Sequence, residues 1–184
     1  MTQSAVPDDT TGEAHERVLP TKSSRRGPTP VYRGCATVAE EHALIARLVA
    51  GFKATGLAER DIAVLYPRRE RDRIDALCRA LRQVAEVCWV SNEADPDGGV
   101  RSLGRPGVRL LTFHAAKGLE FPAVIVSALD QLPSPMERDE VRDSNLLYVG
   151  LTRAVDHLVV TWAGRSGFTD RVLRSNRAEV LADR

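Results

Sequence analysis

The stretch that most constrains this chain is VRLLTFHAAKGLEFPAVIVSA, from Val108 to Ala128. Val108-Arg109-Leu110-Leu111-Thr112 and Ala123-Val124-Ile125-Val126 are short runs dominated by aliphatic and β-branched residues. Runs of this kind, without strict alternation, mark strands buried on both faces, and such strands occur in parallel sheets covered by helices. Between them stand His114, Lys117, Gly118 and Glu120. A loop this rich in ionisable groups, held at both ends by rigid strands, is where folds place ligand contacts or chemistry.

The rest of the chain agrees with a parallel sheet. Pro30-Val31-Tyr32-Arg33 reads as a short strand, and Thr37 as an N-cap with Glu40 as its capping-box partner. The following helix runs from Val38 to about Thr55, with Leu44, Ile45, Leu48, Val49 and Phe52 on one face and Gly56 as its stop. Ile62-Ala63-Val64-Leu65-Tyr66 is a continuous apolar strand broken by Pro67. A second helix, Arg69 to Val84, carries Ile74, Leu77, Cys78 and Leu81, and Val87-Cys88-Trp89-Val90 is the next strand. Ser91 to Gly107 is a loop by its Gly, Pro and Asp content. Beyond the central stretch, Leu132-Pro133-Ser134-Pro135 opens a connection into a helix from about Glu137 to Ala154. His157-Leu158-Val159-Val160-Thr161 is a further strand, and Phe168 to Arg184 a closing helix. Helices alternating with strands predict an α/β fold, a mainly parallel sheet with helices on both faces. Residues 1–29, rich in Thr, Ser, Pro and charge, read as a disordered leader, and 30–184 as one domain. Ser23-Ser24-Arg25-Arg26 in that leader could touch a phosphate backbone but reads first as a solvated tail.

Composition removes several function classes. The net charge of +1 provides no global basic field, so any nucleic-acid contact must be local. Cys35, Cys78 and Cys88 form no C-x-x-C pair, which predicts reduced thiols rather than a zinc site or disulfides. No apolar run approaches the ~20 residues that span a bilayer. The opening MTQSAVPDD lacks the basic and apolar regions of a signal peptide. The expectation is a soluble, cytoplasmic chain with no metal site of its own. No G-x-x-x-x-G-K-[ST] loop occurs, and Ala116-Lys117-Gly118 does not replace it, since the upstream glycine and the following hydroxyl are missing. No strand ends in paired acids that would hold Mg²⁺, and His114 has no Ser or Cys at triad spacing. A self-sufficient hydrolase is hard to build from these residues.

What remains is a set of ligand-facing candidates. Lys117 offers a point charge to phosphate. Gly118 permits close backbone approach, and Glu120 can accept from ribose hydroxyls or from a metal-bound water. Judged singly, each also fits an ordinary turn, a solvated carboxylate or a hydrogen-bonded histidine. Arg153 follows Leu146, Leu147, Val149 and Leu151, which would pack its helix on the sheet. Held that way it could reach a phosphate, although a lone arginine is more often a surface charge.

Taken together, FHAAKGLEF between two strands, followed by LLYVGLTRA, resembles the fifth and sixth motifs of the UvrD/Rep-type superfamily 1 helicases. Ile62–Tyr66 and the Arg-rich helix after it also resemble the elements preceding these motifs, so the likeness covers roughly Pro30 to Ala163. In that family two RecA-like domains clamp ATP between them. The resemblance implies that this chain is the second, RecA-like motor domain, lacking the P-loop. It implies that Arg153 is the finger reaching the γ-phosphate, and that Gly118, Glu120 and Lys117 meet the nucleotide. Thr112 and His114 would face single-stranded DNA, with Tyr148 and Thr152 positioning the helix that bears Arg153. The cofactor would be ATP with Mg²⁺, shared with a P-loop half in trans, without which the chain is inactive. Several features depart from the family. Its first motor domain is missing, as is an arginine on the helix that opens the second. Its helical insertion is reduced to Ser91–Gly107, and Arg142, Asp143, Ser144 and Asn145 stand where acids then arginine are usual. A different class stays open: a non-catalytic adaptor for protein or single-stranded DNA, or a truncated remnant. Few aromatics, Trp89 and Trp162 among them, argue against strong DNA binding by the chain alone.

Overall fold

Apolar runs paired side by side make the frame of the computed structural model, which describes residues 6–7, 14–15, 27–67, 70–90, 104–133, 139–175 and 179–180. The short strands β1 (Val6–Pro7) and β2 (Ala14–His15) pair antiparallel. The remaining elements are β3 (Val31–Gly34), α1 (Val38–Ala54), β4 (Ile62–Tyr66), α2 (Arg71–Leu81), β5 (Val87–Val90), β6 (Val108–Thr112), β7 (Phe121–Val126), α3 (Glu140–Leu151), β8 (Ala154–Trp162), α4 (Gly167–Leu173) and β9 (Glu179–Val180). The strands of the main sheet lie in the order β5-β6-β4-β7-β8-β3-β9. Every neighbouring pair is parallel. This is the expected α/β architecture.

The core lies on both faces because β4 is apolar on both. Ala63 and Leu65 enter one cluster, and Ile62, Val64 and Tyr66 the other. The second cluster takes Ile45 and Val49 from α1 and Ile74, Leu77 and Leu81 from α2. The first takes Leu146, Leu147 and Leu151 from α3 and Phe168 and Val172 from α4. Helices therefore cover both faces, as parallel strands require. The start of α1 follows its sequence signal with a shift. Thr37 Oγ1 accepts from the Glu40 amide at 3.1 Å, while the Glu40 carboxylate accepts from the Ala36 amide at 3.0 Å, one residue upstream of the usual partner.

Several boundaries differ from the sequence reading. The helix expected over Glu137–Ala154 is α3, Glu140–Leu151, and Ala154 already belongs to β8. The strand expected at His157–Thr161 is longer for the same reason, and β7 begins at Phe121 rather than Ala123. The Phe121 amide donates to the Arg153 carbonyl at 2.9 Å, tying the starts of the two strands and extending their ladder. The helix expected at Arg69–Val84 spans Arg71–Leu81. The closing helix is short, Gly167–Leu173, opened by a reciprocal Ser166–Thr169 capping box. The leader over 1–29, its Ser23–Arg26 stretch and the loop residues 91–103 lie outside the described residues, apart from β1, β2 and residues 27–29. Among the described residues no helix is long and apolar enough to cross a membrane.

One buried polar cluster joins α1, α2 and the ends of β7 and β8. Glu41 is fully buried. Its Oε1 accepts from Thr161 Oγ1 at 2.7 Å and from the Ala128 amide at 2.8 Å, and its Oε2 from Arg73 Nη2 at 2.7 Å. Arg73 also donates from both terminal nitrogens to Asp130 at 3.0 Å, and Asp130 Oδ1 accepts from the Ala163 amide at 3.1 Å. Burial alone would push the Asp130 carboxyl up, yet the bonds from Arg73 and Ala163 hold it below the ordinary carboxylate range.

Candidate functional site

The loop joining β6 to β7 is wound rather than slack. Thr112 Oγ1 accepts from the Ala115 amide at 3.1 Å and its carbonyl from the Ala116 amide at 3.1 Å. Lys117 donates to the His114 carbonyl at 3.2 Å, and Leu119 to the Ala116 carbonyl at 3.1 Å. Phe113 and Ala116 are fully buried and pin the loop to the core, while His114, Lys117, Gly118 and Glu120 are exposed. Gly118 sits at φ +82°, a left-handed conformation that side-chain-bearing residues resist.

Parallel pairing decides where these residues end up. β6 finishes at the carboxyl edge of the sheet and β7 starts at the amino edge, so the loop crosses from one edge to the other. Thr112 and His114 leave from the carboxyl edge. Leu119 and Glu120 arrive at the amino edge, where Arg153 stands immediately before β8. The structure thus brings Arg153 to the Gly118–Glu120 end of the loop and keeps Thr112 and His114 at the other.

Arg153 is not on the helix; α3 ends at Leu151 and is capped by Thr152. Its Nε donates to the Val149 carbonyl at 2.9 Å, Nη1 to the Leu119 carbonyl at 3.0 Å and Nη2 to Thr152 Oγ1 at 3.1 Å. These bonds fix a half-buried guanidinium beside the peptide preceding Glu120. Thr152 therefore positions Arg153 directly. The Tyr148 side chain is 67% exposed, and the residue contributes only its carbonyl to Thr152.

Two features escaped the sequence reading. A Cβ on Gly150 would lie 2.8–3.2 Å from the Phe113 ring, so the glycine of LLYVGLTRA makes the seat on which the loop's buried anchor rests. Its place inside a helix, where glycine is disfavoured, was the signal. The second feature is a pocket of about 250 Å³ at the amino edge, lined by Arg60, Asp61, Arg109, Leu119, Glu120, Phe121 and Pro122. Arg109 inside an otherwise apolar strand was the clue there. Trp162 is buried, and Trp89 Nε1 donates to Tyr66 Oη at 2.9 Å, so both rings belong to the packed frame. Among the described residues no three His, Cys, Asp or Glu side chains gather as a metal-ligand set.

Residues 90–165 match the family of the UvrD-like helicase C-terminal domain. Over 62 residues the chain is 44% identical to "DNA helicase II" of Escherichia coli strain K12, covering 30% of this chain and 9% of that protein. It is 34% identical over 87 residues to "ATP-dependent DNA helicase PcrA" of Bacillus subtilis, covering 44% of this chain and 11% of that protein. The matched stretches thus span about a tenth of the length of these curated relatives. The fold is similar to the crystal structure of the C-terminal domain of a "possible" DNA helicase from Lactobacillus plantarum WCFS1. That likeness has TM-score 0.60 and 22% identity, over 87% of this chain and 88% of that one.

Proposed function

We propose that this chain, whose residues 90–165 carry the UvrD-like helicase C-terminal domain, works as the second motor domain of an ATP-dependent DNA helicase. The observation that carries the proposal is the fixing of Arg153 against the Leu119 carbonyl, one peptide from Glu120. A guanidinium has five N–H donors. The three bonds to Val149, Leu119 and Thr152 leave one N–H on each terminal nitrogen to meet an anionic oxygen. An arginine prepared in this way stabilises charge developing on a transferring phosphoryl group without reorganising at the moment of reaction.

ATP, when bound, supplies the phosphoanhydride whose hydrolysis drives the motor. This chain's exposed residues fit one side of such a ligand. Glu120 accepts from the ribose hydroxyls, Lys117 offers its charge to a phosphate, and Gly118 leaves open space above its backbone, with nothing within 4 Å of a Cβ placed there. The sequence holds no phosphate-cradling loop, so the phosphates and Mg²⁺ are anchored by a P-loop half supplied by another segment or chain. Thr112 and His114, at the far end of the same loop, face single-stranded DNA. The Phe113 ring seated on Gly150 packs the loop against the helix that leads to Arg153.

The test is turnover with a P-loop half supplied. Arg153→Ala lowers kcat by about a thousandfold, the size of effect a phosphate-reaching arginine has. Glu120→Gln raises the KM for ATP with a smaller effect on kcat. Unchanged kcat in Arg153→Ala contradicts the assignment.

A further inference from the structure

The turn that follows β7 breaks two local rules at once. Ala128 stands at φ 57° and ψ 41°, and among the described residues it is the one non-glycine residue with positive φ. Three residues on, Gln131 is 8% exposed, and neither Oε1 nor Nε2 of its side chain has a hydrogen-bond partner among the described residues. The two belong to a single turn, since the Gln131 backbone amide donates to the Ala128 carbonyl at 3.0 Å. A left-handed alanine is disfavoured because its Cβ crowds the following carbonyl oxygen. A buried side-chain amide without partners forfeits the bonds that water would give it. Such departures persist only where the surroundings impose them, and they gather at sites of function.

The surroundings here are firm. Ser127 donates to the Leu65 carbonyl from its amide at 2.8 Å and from its hydroxyl at 3.2 Å. The Ala128 amide is held by the buried Glu41 carboxylate, and Asp130 by Arg73 and the Ala163 amide. Leu129 and Leu132 are buried in the apolar core. The pinned turn, and no bond of its own, therefore keeps the Gln131 amide inside. Register places the turn in the sheet. Tyr66 of β4 pairs with Thr112 of β6, and Leu65 with Val126 of β7, so Thr112, Tyr66 and Ser127 stand in one row at the carboxyl edge. Two strand spacings, about 10 Å, separate Thr112 from Ser127. The side-chain amide is neutral and offers donors and an acceptor side by side. A phosphate only accepts and would leave Oε1 unpaired, whereas the edge of a nucleobase supplies an acceptor and a donor together.

We propose that Gln131 is a nucleobase contact stored in the core. A single strand lying along the carboxyl edge draws the side chain out, and Oε1 and Nε2 pair with the edge of one unstacked base. The class of ligand rests on the placing of Thr112 and His114 against single-stranded DNA proposed above; the strained turn and the unpartnered amide rest on their own geometry. The move takes the amide from a position with no hydrogen bond to one with two, so the free chain gives up no polar contact of Gln131 in making it. The contact reads the base and ignores the backbone, so it separates a strand that carries bases from one that does not.

The experiment follows the side-chain amide signals of Gln131 and the ring signals of His114 by NMR. The 184-residue chain is titrated with a short mixed-sequence single-stranded oligonucleotide and with an abasic strand of the same length. The base-bearing strand shifts the Gln131 signals saturably, and the abasic strand leaves them in place. Gln131→Met keeps the length of the side chain and removes the amide. It raises the urea midpoint of the free chain, because a buried amide without partners is gone. It also weakens binding of the base-bearing strand by about fivefold, the worth of a neutral hydrogen-bonded contact, and leaves the abasic strand unaffected. A lower urea midpoint in Gln131→Met, or unchanged binding of the base-bearing strand, overturns the proposal. A His114 response without a Gln131 response overturns it alone, and silence of both overturns it together with the placing of the strand. The titration of the wild type decides the matter without any variant, and the Arg153 turnover test stands apart from every one of these results.

Discussion

Arg153 does two jobs that separate on substitution. Its guanidinium ties Val149, Leu119 and Thr152 together, so Arg153→Ala loosens the start of β8 as well as removing a charge. The structural cost is about 1–2 kcal/mol, read as a lower urea midpoint, because the released carbonyls are half-buried and find water. Arg153→Lys keeps the charge and loses the forked geometry, so it restores little turnover. Gly150→Ala acts by a different route. The added methyl would stand 2.8 Å from the Phe113 ring, and overpacking of that kind costs about 1–3 kcal/mol. Equilibrium denaturation of Gly150→Ala, alone and with Phe113→Leu, checks it: the smaller side chain recovers part of the loss. The candidate residues could be named from the sequence because they sit in two dense motifs. Arg109 in an apolar run and Gly150 in a helix are visible as oddities in the sequence, but no spacing displays the pocket and the ring that they meet.

The Glu41–Arg73–Asp130 cluster staples α1 and α2 to the ends of β7 and β8. Glu41→Ala leaves Arg73 buried with one partner fewer and strips the acceptor from Thr161 and the Ala128 amide. A broken buried pair typically costs about 3–5 kcal/mol, enough to unfold a marginal domain, and thermal unfolding reads it directly. The cluster also sets a pH dependence. His42 is held below its ordinary value of about 6.5, first by burial, with the Arg73 charge adding to this and Glu41 opposing it. Asp130 is held below about 3.9 by Arg73 and the Ala163 amide against the pull of burial. In both cases the unfolded chain binds the proton more readily, so stability falls on acidification. The His42 contribution is lost as pH drops through and below 6.5, and that of Asp130 is lost below about 4. Urea midpoints measured from pH 8 to 4 decline, and His42→Gln flattens the upper part of that decline. The strands Ile62–Tyr66, Val87–Val90 and Val108–Thr112 were legible to the residue, since runs of four or five mostly apolar residues are too short for a buried helix. The end of α3 was not, because Ala154 continues a helical pattern while the Phe121–Arg153 bond recruits it into β8. Glu41 and Arg73 carry no signal in the helix patterns, and only the packing of α1 and α2 on the sheet puts their charges inside.

For the molecule as a whole, the proposed function makes this sheet one half of a nucleotide site. The sheet presents Arg153, Glu120 and the Arg109 pocket at one edge and Thr112 and His114 at the other. The sequence contains no loop that could hold the phosphates between them. The measurement that bears most directly on this is single-stranded-DNA-stimulated ATP hydrolysis. It is made on the 184-residue chain alone and on the chain mixed with the P-loop half of a UvrD-like helicase, each as wild type and as Arg153→Ala. The half-site reading predicts no turnover by the chain alone, and turnover in the mixture that falls by about a thousandfold in Arg153→Ala. Arg153-dependent turnover by the chain alone, or turnover in the mixture that ignores Arg153→Ala, would contradict it.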